Sequence, residues 1–503
     1  MRKRPILLAA PGNAARLLCF AFFFIALRAG AQPPLADRFA EYIRSEEMKE
    51  NLTIIASDAM EGRATGSRGQ KMAAAFIRHH FETVGLTGPL DGSYYQPYEL
   101  FALQPGTAQL TANNSAFENF TDFVFTGTWN GTLNGDLVFA GNATEKELKK
   151  IDVANKAVLA WWQGFSFGEA RQVTERLYEA GAKLVLLYVD EKPSDFRAFA
   201  QQNQELLADK TYHLAQPHAD ENLTSPVFVS EQVVHTCFGD MRKLKNQRET
   251  PGRVKAVPFE FRAEAEPETV RTENVLGYLE GTDKKNEVLV ITAHFDHIGK
   301  NRTGSDLINN GADDDGSGTV AVMQLATAFA EAKKQGAGPR RSILFMTVSG
   351  EEWGLFGSEH YTTHPVFPLS NTVVNLNMDM IGRRDGPHKT TEDYVYVIGS
   401  DKLSSELHEI NERNNASRTR LLFDYTYNEI NHPTQLYQRS DHWNFARNRV
   451  PIIFYFDGIH EDYHRPSDEV SKIDFALLTK RVQCVFYTAW EIANREDRLK
   501  VDK

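Results

Sequence analysis

The sequence predicts an α/β fold in which a mostly parallel central sheet is flanked by helices and carries a smaller inserted α/β domain. From Glu273 onward, apolar runs alternate with amphipathic stretches, which is the pattern of repeated strand–loop–helix units. The run at 288–291 is apolar throughout, as expected for a strand that is covered on both faces. The length of 503 residues exceeds what one hydrophobic core usually supports, so we expect two domains.

The predicted elements divide the chain into a larger and a smaller part. Residues 37–86 are expected to be helical, with a glycine-rich loop at 62–69 and a helix end at Gly85. The larger part has predicted strands at 288–291, 343–348, 373–378, 395–398 and 451–456, and a helix at 319–332. The smaller part has predicted strands at 136–140, 157–161, 183–189 and 226–229. These patterns place the larger domain at 32–125 and 263–503 and the inserted domain at 126–262.

Residues 1–31 are predicted to be a signal peptide and not part of the fold. Basic residues precede an apolar run at 17–27, and Ala29 and Ala31 supply small residues for cleavage. The run is too short to span a bilayer, which needs about 20 residues. We therefore expect an exported protein, periplasmic or extracellular, without stable membrane insertion after signal cleavage. An uncleaved signal anchor is the alternative.

The charge of the chain excludes some classes of partner. Loss of residues 1–31 would remove five basic residues and no acidic ones, which changes the net charge from −11 to −16. A chain this acidic should repel nucleic acid and anionic membrane surfaces. Cys237 and Cys484 would remain, and two cysteines form at most one disulfide.

Side chains of the metal-ligand type follow the predicted strands of the larger domain where each strand ends. In chain order they are His294 and Asp296, Glu351 and Glu352, Asp379, and His464. An acidic, glycine-rich loop at residues 311–318 opens the helix that follows the first of these strands. Because parallel strands end at the same edge of a sheet, we expect these side chains to meet there.

Imidazoles and carboxylates brought together in this way suit zinc, which binds nitrogen and carboxylate oxygen. The excess of carboxylates over histidines indicates two metal ions that share a bridging aspartate. Chemistry alone leaves Asp313, Asp314 and Asp315 all open as that bridge. Two cations about 3.5–4 Å apart can deprotonate one water between them. Without cations, so many carboxylates in one place would repel one another and resist burial.

Taken in order, five segments resemble the motif set of the M28 zinc peptidases of the aminopeptidase type. They are residues 290–296, 311–318, 351–354, 377–382 and 463–464. Residues 274–277 resemble the family's strand before the first ligand, and residues 62–69 its N-terminal glycine-rich loop. The resemblance covers about residues 40–120 and 265–490, and it implies the zinc exopeptidase fold with two Zn²⁺ per chain.

The resemblance also implies which residues bind the metals. Asp314 would bridge the two zinc ions, although the family often has a single aspartate where this chain has three. His294 and Asp379 would complete one site, and Glu352 and His464 the other.

Three further residues resemble the family's catalytic groups. Asp296 would orient His294 and raise the basicity of its ring. Glu351 would act as general base, taking a proton from the bridging water and passing it to the leaving amine. Tyr463 would donate a hydrogen bond to the developing oxyanion, although aromatic packing explains a tyrosine there equally well.

The middle of the chain resembles a protease-associated (PA) domain inserted into the peptidase. Residues 136–141 and 156–160 resemble its opening strands, and residues 180–183 the end of a helix. The alternative is a family-specific lid of another fold.

The function implied is an exported metallo-exopeptidase that hydrolyses N-terminal residues from peptides with a free N-terminus. A carboxypeptidase of the same fold is one alternative, because basic residues near the motifs could hold a carboxylate: Arg383, Arg384, Arg439 and Arg465. A glutaminyl cyclase of the same fold generally departs from the full two-zinc set, which this chain keeps. A non-catalytic relative should have lost ligands or the base, and this chain has lost none.

A competing motif lies at residues 460–464, where His460, Glu461 and His464 fit the H-E-x-x-H pattern of zincin endopeptidases. That mechanism needs both histidines on one face of a helix, with the glutamate as base. Gly458 precedes the motif and Pro466 follows it, so we expect no long amphipathic helix here.

Overall fold

The computed structural model describes residues 34–162, 167–189, 193–206, 210–221, 223–390, 392–429 and 431–503, so the predicted signal peptide lies outside the described residues. The strands are β1 (Tyr95–Ala112), β2 (Ser115–Glu118), β3 (Phe123–Val124), β4 (Gly131–Phe139), β5 (Ala157–Trp162), β6 (Leu184–Val189), β7 (Val227–Val229), β8 (Val257–Leu279), β9 (Lys284–His294), β10 (Arg341–Val348), β11 (Thr372–Met378), β12 (Tyr394–Ile398), β13 (Leu422–Asp424) and β14 (Ile452–Phe456). The α-helices are α1 (Leu35–Ala40), α2 (Ser45–Ile55), α3 (Arg68–Val84), α4 (Glu145–Leu148), α5 (Phe167–Glu179), α6 (Pro193–Leu206), α7 (Glu231–Phe238), α8 (Met241–Asn246), α9 (Gly318–Lys334), α10 (Phe356–Thr363), α11 (Ser405–Ser417), α12 (His442–Ala446) and α13 (Phe475–Asn494). Within the described ranges, no helix combines the length and apolar character that crossing a bilayer requires.

One large mixed sheet connects these strands in the order β13-β12-β14-β11-β9-β10-β8-β4-β5-β6-β7-β3. Its centre is parallel, since β10, β9, β11 and β14 pair in parallel along that path. The strands β4 to β7 form a second parallel group. The predicted α/β class with a flanked central sheet is confirmed.

The apolar run in β9 is buried on both faces of the sheet. Leu289 and Ile291 belong to one core together with residues of α9 and α13. Val288 and Val290 belong to a different core, on the α10 and α12 side. This alternation explains why the strand is apolar at every position instead of at every second one.

The predicted strands of both parts overlap observed strands, and the predicted helix at 319–332 lies within α9. Helix α3 ends at Gly85, which has φ of +91° and whose N–H donates to Phe81 O and Glu82 O. Glycine suits this position because other residues pay a steric cost in the left-handed region.

Of the two longest strands, the sequence prediction missed β1 and indicated only residues 274–277 of β8. They pair antiparallel from Tyr95 opposite Val275 to Ala112 opposite Phe259. Their inner half has alternating burial, with Phe259, Phe261 and Ala263 buried and the intervening residues exposed. Charged residues alternate with the apolar ones, so the sequence shows no continuous apolar run. Alternation with a period of two is nevertheless the signal of a strand with one solvated face.

The strands β4 to β7 organise a second pair of cores, one on each face, from residues 110–263. Leu110, Phe117 and Phe123 belong to it although they precede the predicted domain boundary at residue 126. Cys237 lies in this part and Cys484 in the larger core, where both are buried and unpaired.

Arg63 connects the predicted glycine-rich loop to the loops that carry the metal-ligand residues. Its guanidinium is fully buried. It donates hydrogen bonds to four backbone oxygens, at 2.8 Å to Phe295, 2.8 Å to Ile55, 2.7 Å to Asn310 and 2.9 Å to Gly311. Phe295 separates His294 from Asp296, so Arg63 fixes the backbone on which both side chains stand.

Replacing Arg63 by Met is expected to lower the free energy of unfolding by about 3 kcal/mol or more, because buried carbonyl oxygens lose their donor. Arg68→Met is the matched control, since Arg68 follows the same loop but has a 73% exposed side chain paired with Glu61. Its loss should leave the free energy of unfolding nearly unchanged, because an exposed ion pair contributes little. Urea denaturation followed by circular dichroism measures both, and equal losses would contradict the prediction.

Candidate metal centre

The parallel strands of the larger domain bring the predicted ligands to one edge of the sheet. His294 is the last residue of β9, and Asp379 directly follows β11. Glu351 and Glu352 lie in the turn after β10, and His464 lies in the loop after β14. Residues far apart in the sequence become neighbours because parallel strands end together.

Asp314 lies between two imidazoles. Its Oδ1 is 3.2 Å from His294 Nε2, and its Oδ2 is 3.2 Å from His464 Nε2. Asp379 Oδ1 is 3.5 Å from the same nitrogen of His294, and Glu352 Oε2 is 3.0 Å from that of His464. The side chains thus form two groups that share Asp314, as the resemblance implied for a two-metal site.

The neighbouring Asp315 also comes near the first group. Its ligand atoms, with those of His294 and Asp379, lie within 4.8 Å of one another. However, its oxygens accept backbone hydrogen bonds from His294 N at 3.1 Å and from Gly318 N at 2.9 Å. Because these bonds occupy its lone pairs, Asp314 fits the shared position better.

The donor atoms of the centre fit a bound zinc ion. The Nε2 atoms of His294 and His297 are buried and have no hydrogen-bond partner within the described ranges. A buried polar nitrogen in that state is costly unless another partner takes its lone pair. Imidazole nitrogen and carboxylate oxygen are zinc ligands, so a cation beside Asp314 and Asp379 resolves the cost at His294.

The charges of the centre shift its pKa values strongly. Burial would lower the pKa of His464, but hydrogen bonds to Asp314 and Glu352 raise it to about 10. Burial would raise the pKa of Asp314, but the neighbouring imidazoles of His294 and His464 hold it well below its usual value. Burial raises the pKa of Glu351 well above its usual range, and the negative charges of Asp379 and Glu352 add to this.

Glu351 and Tyr463, the predicted base and oxyanion donor, both face the centre. The Glu351 carboxylate is 3.9 Å from His294 Nε2. Tyr463 stacks on His464 with ring centroids 3.9 Å apart and lines the same pocket as Glu351. Both roles stay predictions.

Asp296 makes contacts that differ from the predicted one. His294 Nδ1 lies 3.1 Å from the backbone oxygen of Asp296, whereas the carboxylate is 3.8 Å away. The carboxylate instead accepts hydrogen bonds from Thr65 Oγ1 at 2.6 Å and from Gly350 N at 2.8 Å. Asp296 therefore orients His294 through its main chain and holds the turn before Glu351 with its side chain.

His297 belongs to the centre and was not singled out from the sequence. Its Nδ1 lies 2.7 Å from Glu352 Oε1 and 3.8 Å from Asp314 Oδ2, and its ring is fully buried. Its position in the sequence was the available signal, because it directly follows Asp296 just after the predicted strand at 288–291.

Two more residues orient the ligands and had no local sequence signal. Ser440 donates to Asp379 Oδ2 at 2.7 Å. Asp468 Oδ2 accepts from the backbone N–H groups of Asp313 and Asp314, at 2.9 and 3.1 Å. Both reach the centre from loops that follow other elements, which a pattern along the chain does not reveal.

A small pocket of about 30 Å³ opens beside the centre. Its polar lining comprises Asp314, Glu351, Asp379, Arg439 and Tyr463. Its apolar lining comprises Met380, Leu436, Phe454, Phe456 and Ile459.

Residues 460–464 form turns and not a helix, so the geometry required for a zincin site is missing. His460 Nε2 lies 3.1 Å from Asp313 Oδ2, while His464 contacts Asp314 and Glu352 instead. Glu461, the base in that alternative, has a 63% exposed side chain. The zincin alternative is therefore not favoured.

The arginines near the motifs take different positions. Arg383 pairs with Asp462 at 2.9 Å, and Arg384 with Asp393 at 2.5 Å. Arg439 lines the pocket described above. Of these three, only Arg439 is placed in the pocket wall.

Comparison with known proteins connects this site to one family. Residues 274–489 match the sequence model described as Peptidase family M28. The chain is 27% identical over 217 residues to a probable leucine aminopeptidase of Trichophyton verrucosum (strain HKI 0517), covering 42% of this chain and 55% of that protein. It is 25% identical over 242 residues to aminopeptidase YwaD of Bacillus subtilis (strain 168), covering 46% and 47%. The chain spans about half the length of these curated relatives.

A solved structure shares the fold over most of the chain. It is the aminopeptidase from Aneurinibacillus sp. strain AM-1, with a TM-score of 0.51 and 18% sequence identity. The match covers 93% of this chain and 98% of that one. The inserted part is thus included in the structural likeness.

Zinc binding to the metal-free protein at pH 7 is expected to release protons. Because the pKa of His464 is raised to about 10 without metal, its imidazole is protonated at pH 7, and a cation must displace that proton. Affinity should therefore rise with pH up to about 10. Titration calorimetry in buffers of different ionisation enthalpy measures the release, and His464→Asn should reduce it. Identical heats in all buffers would contradict the prediction.

His297→Asn is expected to weaken zinc binding by about 10–100-fold, because Glu352 loses the ring that orients it. Competition with a chromophoric chelator measures the affinity. His408→Asn is the control, since this half-buried ring contacts Ser400 and Tyr425 away from the centre. Equal affinity of the His297 variant and the wild type would remove His297 from the centre.

Proposed function

Since the chain belongs to peptidase family M28, we propose that it is an exported two-zinc aminopeptidase that removes N-terminal residues from peptides. The observation that carries this proposal is Asp314, whose two oxygens face the imidazoles of His294 and His464 from opposite sides. One zinc would be held by His294, Asp314 and Asp379, and the other by Asp314, Glu352 and His464. His297 adds a second imidazole beside Glu352.

The residues of the pocket divide the chemistry between them. Bound zinc supplies Lewis acidity, which polarises a peptide carbonyl and lowers the pKa of water. Glu351 accepts the proton of the attacking water and delivers it to the leaving amine. Tyr463 donates a hydrogen bond to the carbonyl oxygen as negative charge develops there.

The pocket lining supports recognition of a free N-terminus. Asp379 and Glu351 place negative charge where a protonated amine would sit, while Met380, Leu436 and Phe454 offer apolar contact to the first side chain. A protonated amine beside buried carboxylates is stabilised far more than in water, because the local dielectric is low. An acylated N-terminus lacks that charge and should not bind.

We also propose that residues 126–262 are a PA-like domain and that residues 1–31 direct export. The separate cores on either side of β4 to β7 support an independent domain. The basic, apolar and small-residue pattern of the N-terminus supports export. A signal-peptidase cut after Ala31, found by N-terminal sequencing of the exported protein, tests the second part.

A carboxypeptidase is the second candidate, because Arg439 lies in the pocket wall. A guanidinium beside the centre is the group that would bind a terminal carboxylate. The two candidates differ in which end of the substrate must be free.

A tetrapeptide with an N-terminal leucine, supplied free, N-acetylated or C-amidated, separates the candidates. We expect chelator-sensitive loss of the first residue from the free and amidated forms and none from the acetylated form, followed by mass spectrometry. Loss of the last residue, blocked only by amidation, would assign the chain as a carboxypeptidase. Cleavage inside all three forms would make it an endopeptidase.

Glu351→Gln is expected to lower kcat by about 10²–10⁴-fold while zinc stays bound, because the base is removed and the ligands are kept. Glu461→Gln is the matched control, since that carboxylate is exposed and belongs to the competing motif. Kinetics and metal analysis of both variants are compared. Loss of activity in Glu461→Gln, with activity kept in Glu351→Gln, would show that Glu461 and not Glu351 is the base.

A further inference from the structure

The turn that carries Glu351 and Glu352 has left-handed backbone conformations at three positions. Gly350 has φ of +71°, Gly354 φ of +135° and Leu355 φ of +61°. The turn is closed by backbone hydrogen bonds of its own, from Gly354 N and Leu355 N to Glu351 O at 2.9 Å and from Phe356 N to Gly350 O at 3.0 Å. The Glu351 carboxylate is 3.9 Å from His294, beyond hydrogen-bond distance, so its position depends on the backbone of the turn.

The start of the turn is fixed by the larger domain. Gly350 N donates to Asp296 Oδ2 at 2.8 Å. Ser349 O accepts from Tyr98 Oη at 2.7 Å, and Ser349 Oγ lies 2.9 Å from Thr272 Oγ1. These bonds hold the residues before Glu351 and act in addition to the turn's own backbone hydrogen bonds.

The end of the turn is held by a residue of the inserted domain. Trp353 stacks on Tyr212 with ring centroids 4.1 Å apart and an interplanar angle of 6°. Tyr212 is 7% exposed and packs in a small cluster with Tyr98 and Leu100. Trp353 directly follows Glu352, so the ring contact restrains the turn one residue from a metal ligand.

The segment around Tyr212 is itself anchored to the hairpin of β1 and β8. His213 N donates to Phe101 O at 2.8 Å, and Phe101 N donates to His213 O at the same distance. The Tyr212 hydroxyl lies 3.5 Å from Glu268 Oε1, a long contact that contributes little. The flat ring is therefore the part of Tyr212 that acts on the turn.

We propose that Tyr212 is a positioning residue for the catalytic turn, supplied by the inserted domain and acting through Trp353 on Glu351 and Glu352. The expected change in kcat rests on the proposed function, whereas the expected change in the rate of zinc release does not. It gives the insert a part in the reaction, because the ring that restrains the base comes from outside the peptidase domain.

The test compares Tyr212→Leu, Tyr212→Phe and Trp353→Leu in the full zinc-loaded chain. Misplacing a base by about 1 Å can cost about 10²-fold, so we expect Tyr212→Leu to lower kcat by about 10–100-fold with KM little changed. It should also lose zinc faster to a chelator, since Glu352 lies in the same turn. Tyr212→Phe keeps the ring and should keep both properties. Trp353→Leu should reproduce Tyr212→Leu, and the double variant should add nothing further.

Phe367→Leu is the control for a purely structural role. Phe367 stacks on Tyr278 with centroids 4.8 Å apart, in another part of the peptidase domain. Its loss should lower the thermal midpoint while kcat and zinc release stay unchanged. The proposal would be overturned if Tyr212→Leu had the kcat and the zinc release of the wild type. It would also be overturned if Tyr212→Phe were as defective as Tyr212→Leu. A wild-type chain that cleaves no peptide refutes the proposed function alone, and zinc release then decides the role of Tyr212.

Discussion

Mutual repulsion among buried carboxylates is the constraint on which this structure depends. Asp313, Asp314 and Asp315 are buried together, and Glu351, Glu352 and Asp379 come within reach of them. The fold offsets two of these charges internally, since backbone N–H groups bond to Asp315 and both Gly382 N and His460 bond to Asp313. The remaining charge faces imidazoles, so protons on those rings or bound cations can neutralise it.

Support for that centre reaches far from the ligands. Arg63 places a buried positive charge behind the loops of Phe295 and Gly311, and Asp468 fixes the backbone before the shared aspartate. Asp296 holds the start of the base turn, and Tyr212 holds its end. Each support acts on a backbone segment and not on a donor atom, so the ligand atoms remain available to bind.

The sheet and most of the centre were predictable because their signals are local. A strand covered on both faces is mostly apolar, and an imidazole or a carboxylate marks its end, as at His294 and Asp379. His297 had the same position and was overlooked. The contacts of Tyr212 and Ser440 had no such signal, since they join segments distant in the chain through side chains common in any core. The carboxylate of Asp296 lies near the centre as predicted, but its hydrogen-bond partners differ from the predicted one. The spacing of residues along the chain does not determine the orientation of a side chain.

The pairing of β1 with β8 has a consequence for how such a chain can diversify. Ala112 and Phe259 face each other across the ladder, so the polypeptide leaves and re-enters at points about 5 Å apart. The residues between these two positions therefore form the connection at the end of a single β-hairpin of the peptidase sheet. In such an architecture, the inserted module can be replaced as a unit while the strands of the parent sheet keep their register. The surroundings of the active site can then change without any change in the strands that carry its residues.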